Sequence, residues 1–174
     1  MEGFPKEGEK FSETIELLLN QDIIGLSLEC GEKAGRSGSL KFVSISTRSD
    51  IYIFKYSSFG INLFKWGLFI VLDNSNCMKV VHDARLISDL LYHQMGLELE
   101  NVFDTLAGHL VVANWMLKRK LTKFKSLSGL VRDYLGVIQM QLPSLDHDDV
   151  IEAASRNCQF LIPLRKGSKK NFKK

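Results

Sequence analysis

Apolar residues recur at helical spacing near the start of the chain. Phe11, Ile15, Leu18 and Leu19 share one face of a segment over residues 5–22, which predicts an amphipathic helix. The run Ile23-Ile24-Gly25-Leu26-Ser27-Leu28-Glu29-Cys30 is short and apolar and fits a buried strand. Three glycines make residues 31–38 a loop. Two β-rich stretches follow, Leu40–Thr47 and Ile51–Tyr56, with Arg48-Ser49-Asp50 between them as a tight turn. The chain is thus expected to open with an antiparallel meander of three strands.

The rhythm then changes to alternating helices and strands. Helices are predicted over residues 61–72, 84–95, 105–118, 126–135 and 146–163, the last broken by Pro163. Short strands are predicted at Lys79–His82 and Val102-Phe103. A meander followed by alternating elements predicts an α/β fold, in which a mixed sheet with added parallel strands is flanked by helices. Apart from the tail, the chain carries no repeat and no low-complexity segment.

At 174 residues, 45% hydrophobic and 25% charged, the chain has the make-up of one globular domain. No stretch approaches the roughly 20 apolar residues of a membrane helix, and no basic-then-apolar leader opens it, so no membrane association is expected. The opening Met-Glu-Gly-Phe-Pro-Lys reads as the start of a domain fragment. Cys30, Cys77 and Cys158 lack C-x-x-C spacing, which argues against a disulfide framework or a zinc site and for a reducing compartment.

Charge changes the picture only once it is localised. Residues 165–174 carry Arg165, Lys166, Lys169, Lys170, Lys173 and Lys174 and no acid. Removing those six charges from the net +3 leaves −3 on the other 164 residues, so the basic character belongs to a tail, expected to be disordered beyond a domain at 1–164. A second cluster, Lys118, Arg119, Lys120, Lys123 and Lys125, surrounds Phe124, an aromatic available for stacking. Both clusters suit single-stranded RNA bound through its phosphates without sequence preference. Both also read as solvated ends, since lysines near a helix C-terminus complement the dipole.

The order "IGLSLE", a Gly-Arg-x-Gly loop, "LKFVSIST" and "KVVHDARLISDLLYHQMGLELENVFDTLAGHL" resembles the 3′–5′ exonuclease domains of the DEDD superfamily, in the branch that includes Egalitarian-type domains. The likeness covers about residues 20–164 and implies a ribonuclease H-like fold. Active members hold two divalent metals on four carboxylates, because closely spaced dications need clustered anionic oxygens. The resemblance places two acids in an Asp-x-Glu strand, whose i, i+2 spacing points both to one face. A third lies on the helix after the "KVVH" strand, and a fourth lies on the last helix, four residues beyond a Tyr or His that orients the water.

Those positions hold Ser27 and Glu29, Ile87, and Asn157, with Ala153 where the water-orienting residue belongs. Three of four ligands are therefore expected to be missing, which predicts no metal, no cofactor and no nuclease activity. Asp89 sits about 200° round the helix from Ile87, and so on the wrong face. Asp83 is expected to cap the helix that starts at Ala84, and Asp104 of "VFDT" to act as a helix-start residue. Asp146-His147-Asp148-Asp149 reads as acids at a helix N-terminus. His82 reads as a packed polar residue, and His93 and His109 have no partner at catalytic spacing.

What the resemblance implies is a cytoplasmic, catalytically inactive, RNA-binding adaptor in small-RNA (piRNA) biogenesis, homodimeric and joined to Tudor-domain proteins. A residual one-metal exoribonuclease at Glu29 and a purely protein-binding scaffold are the alternatives. The apolar excess of Phe59, Phe64, Trp66, Phe69 and Ile70, and of Leu106, Leu110, Val111, Val112, Trp115, Met116 and Leu117, fits either burial under the sheet or a subunit interface.

Overall fold

The computed structural model describes residues 6–31, 33, 35–116, 124–138 and 147–171. Helix α1 (Lys6–Leu19) leads into β1 (Ile23–Cys30), β2 (Leu40–Ser46) and β3 (Ile51–Lys55). The meander is antiparallel, with Gly25 opposite Ser46 and Ser46 opposite Ile51. Its β2–β3 turn is tied by Thr47, whose Oγ1 accepts the backbone N–H of Ser49 and of Asp50.

β4 (Met78–Val81) and β5 (Val102–Asp104) then extend the sheet in parallel to β1, giving the order β3-β2-β1-β4-β5. Helix α4 (Ala84–Met95) connects them, and Gly96 closes it in the left-handed conformation (φ 67°) with its N–H returned to Leu91 and Tyr92. A mixed sheet flanked by helices is therefore what the structure contains.

Alternation along β1 sorts the two faces. Ile24, Leu26 and Leu28 join the larger apolar cluster with Ile15, Leu18, Val71, Ile87, Leu90 and Leu91. Ile23 turns to the opposite cluster with Val80, Cys158, Leu161 and Ile162. That second face is covered by α7 (His147–Gln159) and α8 (Leu161–Asn171).

Several expectations change. The single helix over 61–72 is instead a short α2 (Tyr56–Phe59), a π-helical turn (Phe64–Leu68) and α3 (Phe69–Asp73). Gly67 explains the break, because a Cβ there would lie 2.7 Å from Ile15 Cγ1; its bare backbone lets α1 approach. The helix over 105–118 appears as α5 (Thr105–Val111) continued by a π-helical turn (Val112–Met116). The helix at 126–135 is α6 (Leu127–Leu135), capped by Ser126 Oγ accepting from Gly129 N–H. The helix over 146–163 divides at Phe160, ahead of Pro163. Pro163 falls in the first turn of α8, where its missing N–H costs nothing.

Helix α8 runs on through residues 165–171 of the basic segment. Leu164, buried with Leu130 and Val131 of α6, anchors its start.

Candidate functional site

Glu29 stands near the end of β1, on the face that α7 covers, with Ser27 two residues before it. Ser27 Oγ donates to Glu29 Oε1 at 3.0 Å. Asn157 on α7 donates to the same oxygen through Nδ2 at 3.4 Å. Three of the positions that the sequence singled out therefore meet, although Asn157 is 128 residues away along the chain.

The backbone beside Asn157 explains the meeting. The carbonyl of Cys158 accepts from Ser46 Oγ at 2.9 Å, and its thiol lies 3.4 Å from Gly25 O and 3.2 Å from Ser44 O. Gly25 permits this approach: a Cβ there would lie 2.4 Å from Ser46 Oγ and 3.2 Å from Cys158 O. Burial pushes the Cys158 thiol up to about 12, so it is an anchor and not a nucleophile. Ala153 lies one helical turn before Asn157 on α7.

Ile87 does not join this network. It is buried in the apolar cluster on the other face of the sheet. Asp89 is drawn off to the 3-10 turn at Gly35–Ser37. There it accepts the backbone N–H of Arg36 at 2.6 Å and pairs with the Arg36 guanidinium at 2.9 Å. Those donors hold the Asp89 carboxyl below the usual range. Gln94 fastens the same turn by donating to Arg36 O and Gly38 O.

The capping of α4 is corrected. Asp83 is left-handed (φ 57°) and its side chain makes no cap. Its carboxylate instead takes a two-pronged contact from Arg85 at 2.9 and 2.9 Å. The cap comes from Asp104, at the end of β5, which accepts the backbone N–H of Asp83 and of Ala84 at 3.0 Å each. Asp104 also caps its own helix by accepting Leu106 N–H at 2.8 Å. Occupied by three amides, it is a helix-start residue, as its place in "VFDT" led one to expect.

His82 lies beside this cap. Thr105 Oγ1 lies 3.0 Å from both Val81 O and His82 Nδ1, which ties the ring to the end of β4. Burial lowers the His82 pKa. His109 is buried too, its Nδ1 2.9 Å from Tyr134 Oη. Its pKa is lowered by burial first and by Lys125 next. His93 Nε2 lies 3.5 Å from Asp89, and its ring meets Tyr92 edge-on at 5.2 Å.

Of the basic residues, Lys118, Arg119, Lys120 and Lys123 lie outside the described residues, as does Asp146. Lys125 is paired with Asp133. Arg165 is turned inward, its guanidinium 5.9 Å from the centre of the Phe103 ring, while Lys166 is exposed. Lys169 and Lys170 continue α8. Sequence reasoning missed Arg85, whose guanidinium lies 4.8 Å from the centre of the Phe124 ring; no spacing rule links residues 85 and 124.

A five-stranded mixed sheet of order β3-β2-β1-β4-β5, flanked by helices, defines an α/β domain. Among the described residues no three His, Cys, Asp or Glu side chains converge as metal ligands. At Glu29 the neighbours are a hydroxyl and an amide, and that donor set does not fit two dications.

The chain belongs to the 3′–5′ exonuclease family, whose model matches residues 4–159. It is 33% identical to the silkworm (Bombyx mori) piRNA biogenesis protein EXD1 over 150 residues, 84% of this chain and 45% of that protein. It is 40% identical to the Xenopus laevis counterpart over 98 residues, 56% of this chain and 22% of that one. It is 29% identical to the Caenorhabditis elegans Egalitarian homolog over 113 residues, covering 63% and 19%. The chain thus spans less than half the length of these relatives.

Among solved structures, the catalytic core of RRP6 from Trypanosoma brucei superposes with a TM-score of 0.74 at 22% identity, over 93% of this chain and 44% of that one. RNase D from the same organism, in complex with RNA U12, gives 0.74 at 16% identity, over 91% and 59%. At these identities the likeness is one of fold.

Proposed function

We propose that this domain is a pseudo-exonuclease: an RNA-binding, dimerising adaptor of the piRNA pathway that has kept the fold and lost the metals. The observation that carries the reading is the pair of neutral donors on Glu29. Where clustered carboxylates would hold two dications, Ser27 and Asn157 donate hydrogen bonds instead. A lone carboxylate with two neutral donors on one oxygen offers little to a pair of metals, and without them the attacking water is not activated.

The pathway assignment is supported by the likeness to the EXD1 proteins, and RNA as ligand by the RNase D fold bound to U12. Dimerisation is supported by an apolar surface on α2, α3 and the π-helical turn between them. There Phe59 and Trp66 stack edge-on at 6.2 Å, and Trp66 is 52% and Ile70 60% exposed. We propose Tudor-domain proteins as its partners and the cytoplasm as its location. No helix among the described residues is long and apolar enough to cross a membrane.

The test is incubation of end-labelled single-stranded RNA with Mg²⁺ or Mn²⁺. The expected result is intact RNA retained by the protein in a salt-sensitive complex. Shortening from the 3′ end that Glu29→Ala abolishes would establish the residual exoribonuclease instead. In light scattering the expected mass is that of two chains, and a monomer at tens of micromolar rejects the dimer.

A further inference from the structure

We propose that Phe124 and Arg85 form a stacking platform for one unpaired RNA base, at the end of the sheet where Glu29 stands; this rests on the RNA-binding reading above. The Phe124 ring is 66% exposed, more than any aromatic on the described surface. An exposed ring is ordinarily free to turn. This one carries the Arg85 guanidinium 4.8 Å from its centre, and the guanidinium is itself held by the Asp83 carboxylate at 2.9 and 2.9 Å. Asp83 in turn is fixed through its backbone N–H to Asp104. The ring is thus held in place from one side while most of its surface stays open to water.

The location fits a nucleic acid strand. Arg85 belongs to the first turn of α4, which follows directly from the carboxyl end of β4. β4 runs parallel to β1, with Gly25 level with Val80. Because the two strands are parallel neighbours, the carboxyl end of β4, where α4 begins, and the carboxyl end of β1, where Glu29 stands, lie at the same end of the sheet. The platform therefore borders the end of the sheet where Glu29 lies. In the sequence, Lys118, Arg119, Lys120 and Lys123 precede Phe124 with no acid among them, and that charge favours phosphates next to the ring.

Stacking and charge make separable contributions. A base on an aromatic face is worth about 1–3 kcal/mol and does not discriminate strongly among bases, whereas phosphate contacts set the salt dependence. Removing the ring should therefore lower affinity at every salt concentration without altering the slope of log K against log salt. Arg85 acts as a positioning residue: it holds the ring and adds a cation to its face.

The experiment measures binding of fluorescein-labelled single-stranded oligoadenylate to the whole chain over a salt series, for the wild type, Phe124→Leu, Phe124→Trp and Lys120→Gln/Lys123→Gln. Phe124→Leu is expected to weaken binding 5- to 100-fold, which is about 1–3 kcal/mol, with the slope unchanged. Phe124→Trp should restore binding, and its added fluorescence should be quenched by the RNA. The paired lysine change should instead flatten the slope. An affinity unmoved by Phe124→Leu, with the wild type still binding RNA, overturns the platform alone and assigns the ring to protein contact. Absence of RNA binding by the wild type overturns the adaptor reading and the platform with it. Phe124 is a surface side chain, so an unchanged melting temperature checks that each variant is folded.

Discussion

The carboxylate of Asp104, at the end of β5, holds the first turn of α4 by accepting the backbone N–H of Ala84 at 3.0 Å. It also accepts from Asp83 and Leu106, so one side chain satisfies donors at the start of two helices. Each such cap contributes about 1 kcal/mol. Asp104→Ala is expected to destabilise the domain by roughly 2–3 kcal/mol, read from urea midpoints, and Asp104→Asn by about half of that because one acceptor oxygen remains. A loss below about 0.5 kcal/mol for the alanine variant would mean that water caps α4 equally well.

That cap shows where sequence reading stops. Asp83 stands immediately before the helix, and a local rule selects it; the true cap is 20 residues away on a strand end, and only the β4–β5 pairing brings it there. The Ser27–Glu29 pair was legible because alternation along one strand fixes their common face. Asn157 was reached only through the family resemblance, and it does meet Glu29. The π-helical turn at Phe64–Leu68 left no periodic signature: its cause is the packing of Ile15 on Gly67, a contact between distant segments. The first turn of α8 is held by Leu161, Ile162 and Leu164, all buried.

Gly25 is the point where α7 rests on the sheet. Gly25→Ala would drive a Cβ to within 2.4 Å of Ser46 Oγ and 3.2 Å of the Cys158 carbonyl. Overpacking of this kind costs about 1–3 kcal/mol. Because the hydroxyl is the nearest obstacle, Gly25→Ala combined with Ser46→Ala should cost less than the two single changes added together. Strict additivity in a double-mutant cycle would show that the backbone carbonyl, and not the hydroxyl, sets the penalty.

His109 makes stability depend on pH. Burial and Lys125 hold its folded-state pKa below that of the unfolded chain, about 6.5. The unfolded chain therefore takes up the proton first. The stability linked to His109 is complete above about pH 6.5 and is lost as pH falls toward the folded-state pKa. His82, lowered by burial, acts in the same direction. The wild type should show a falling urea midpoint between about pH 7.5 and 5.5, and His109→Gln should show a shallower fall. Equal slopes in the two proteins would remove His109 from the account.

The neutral donors around Glu29 can be replaced by charge. Ser27→Asp with Asn157→Asp would set three carboxylates together, since both side chains already reach Glu29 Oε1, at 3.0 and 3.4 Å. Like charges in a half-buried pocket repel, so the double variant should melt below the wild type in the presence of a chelator. A dication relieves that repulsion. At a Mn²⁺ concentration 100 times its Kd the ion should return about 2.7 kcal/mol, or roughly 5–10 °C for a domain of this size. The wild type, with a hydroxyl and an amide in those places, should not shift. A wild-type melting temperature that rises with Mn²⁺, and stops rising in Glu29→Gln, would show that the lone carboxylate still recruits a metal and that the loss of charge at positions 27 and 157 did not empty the site.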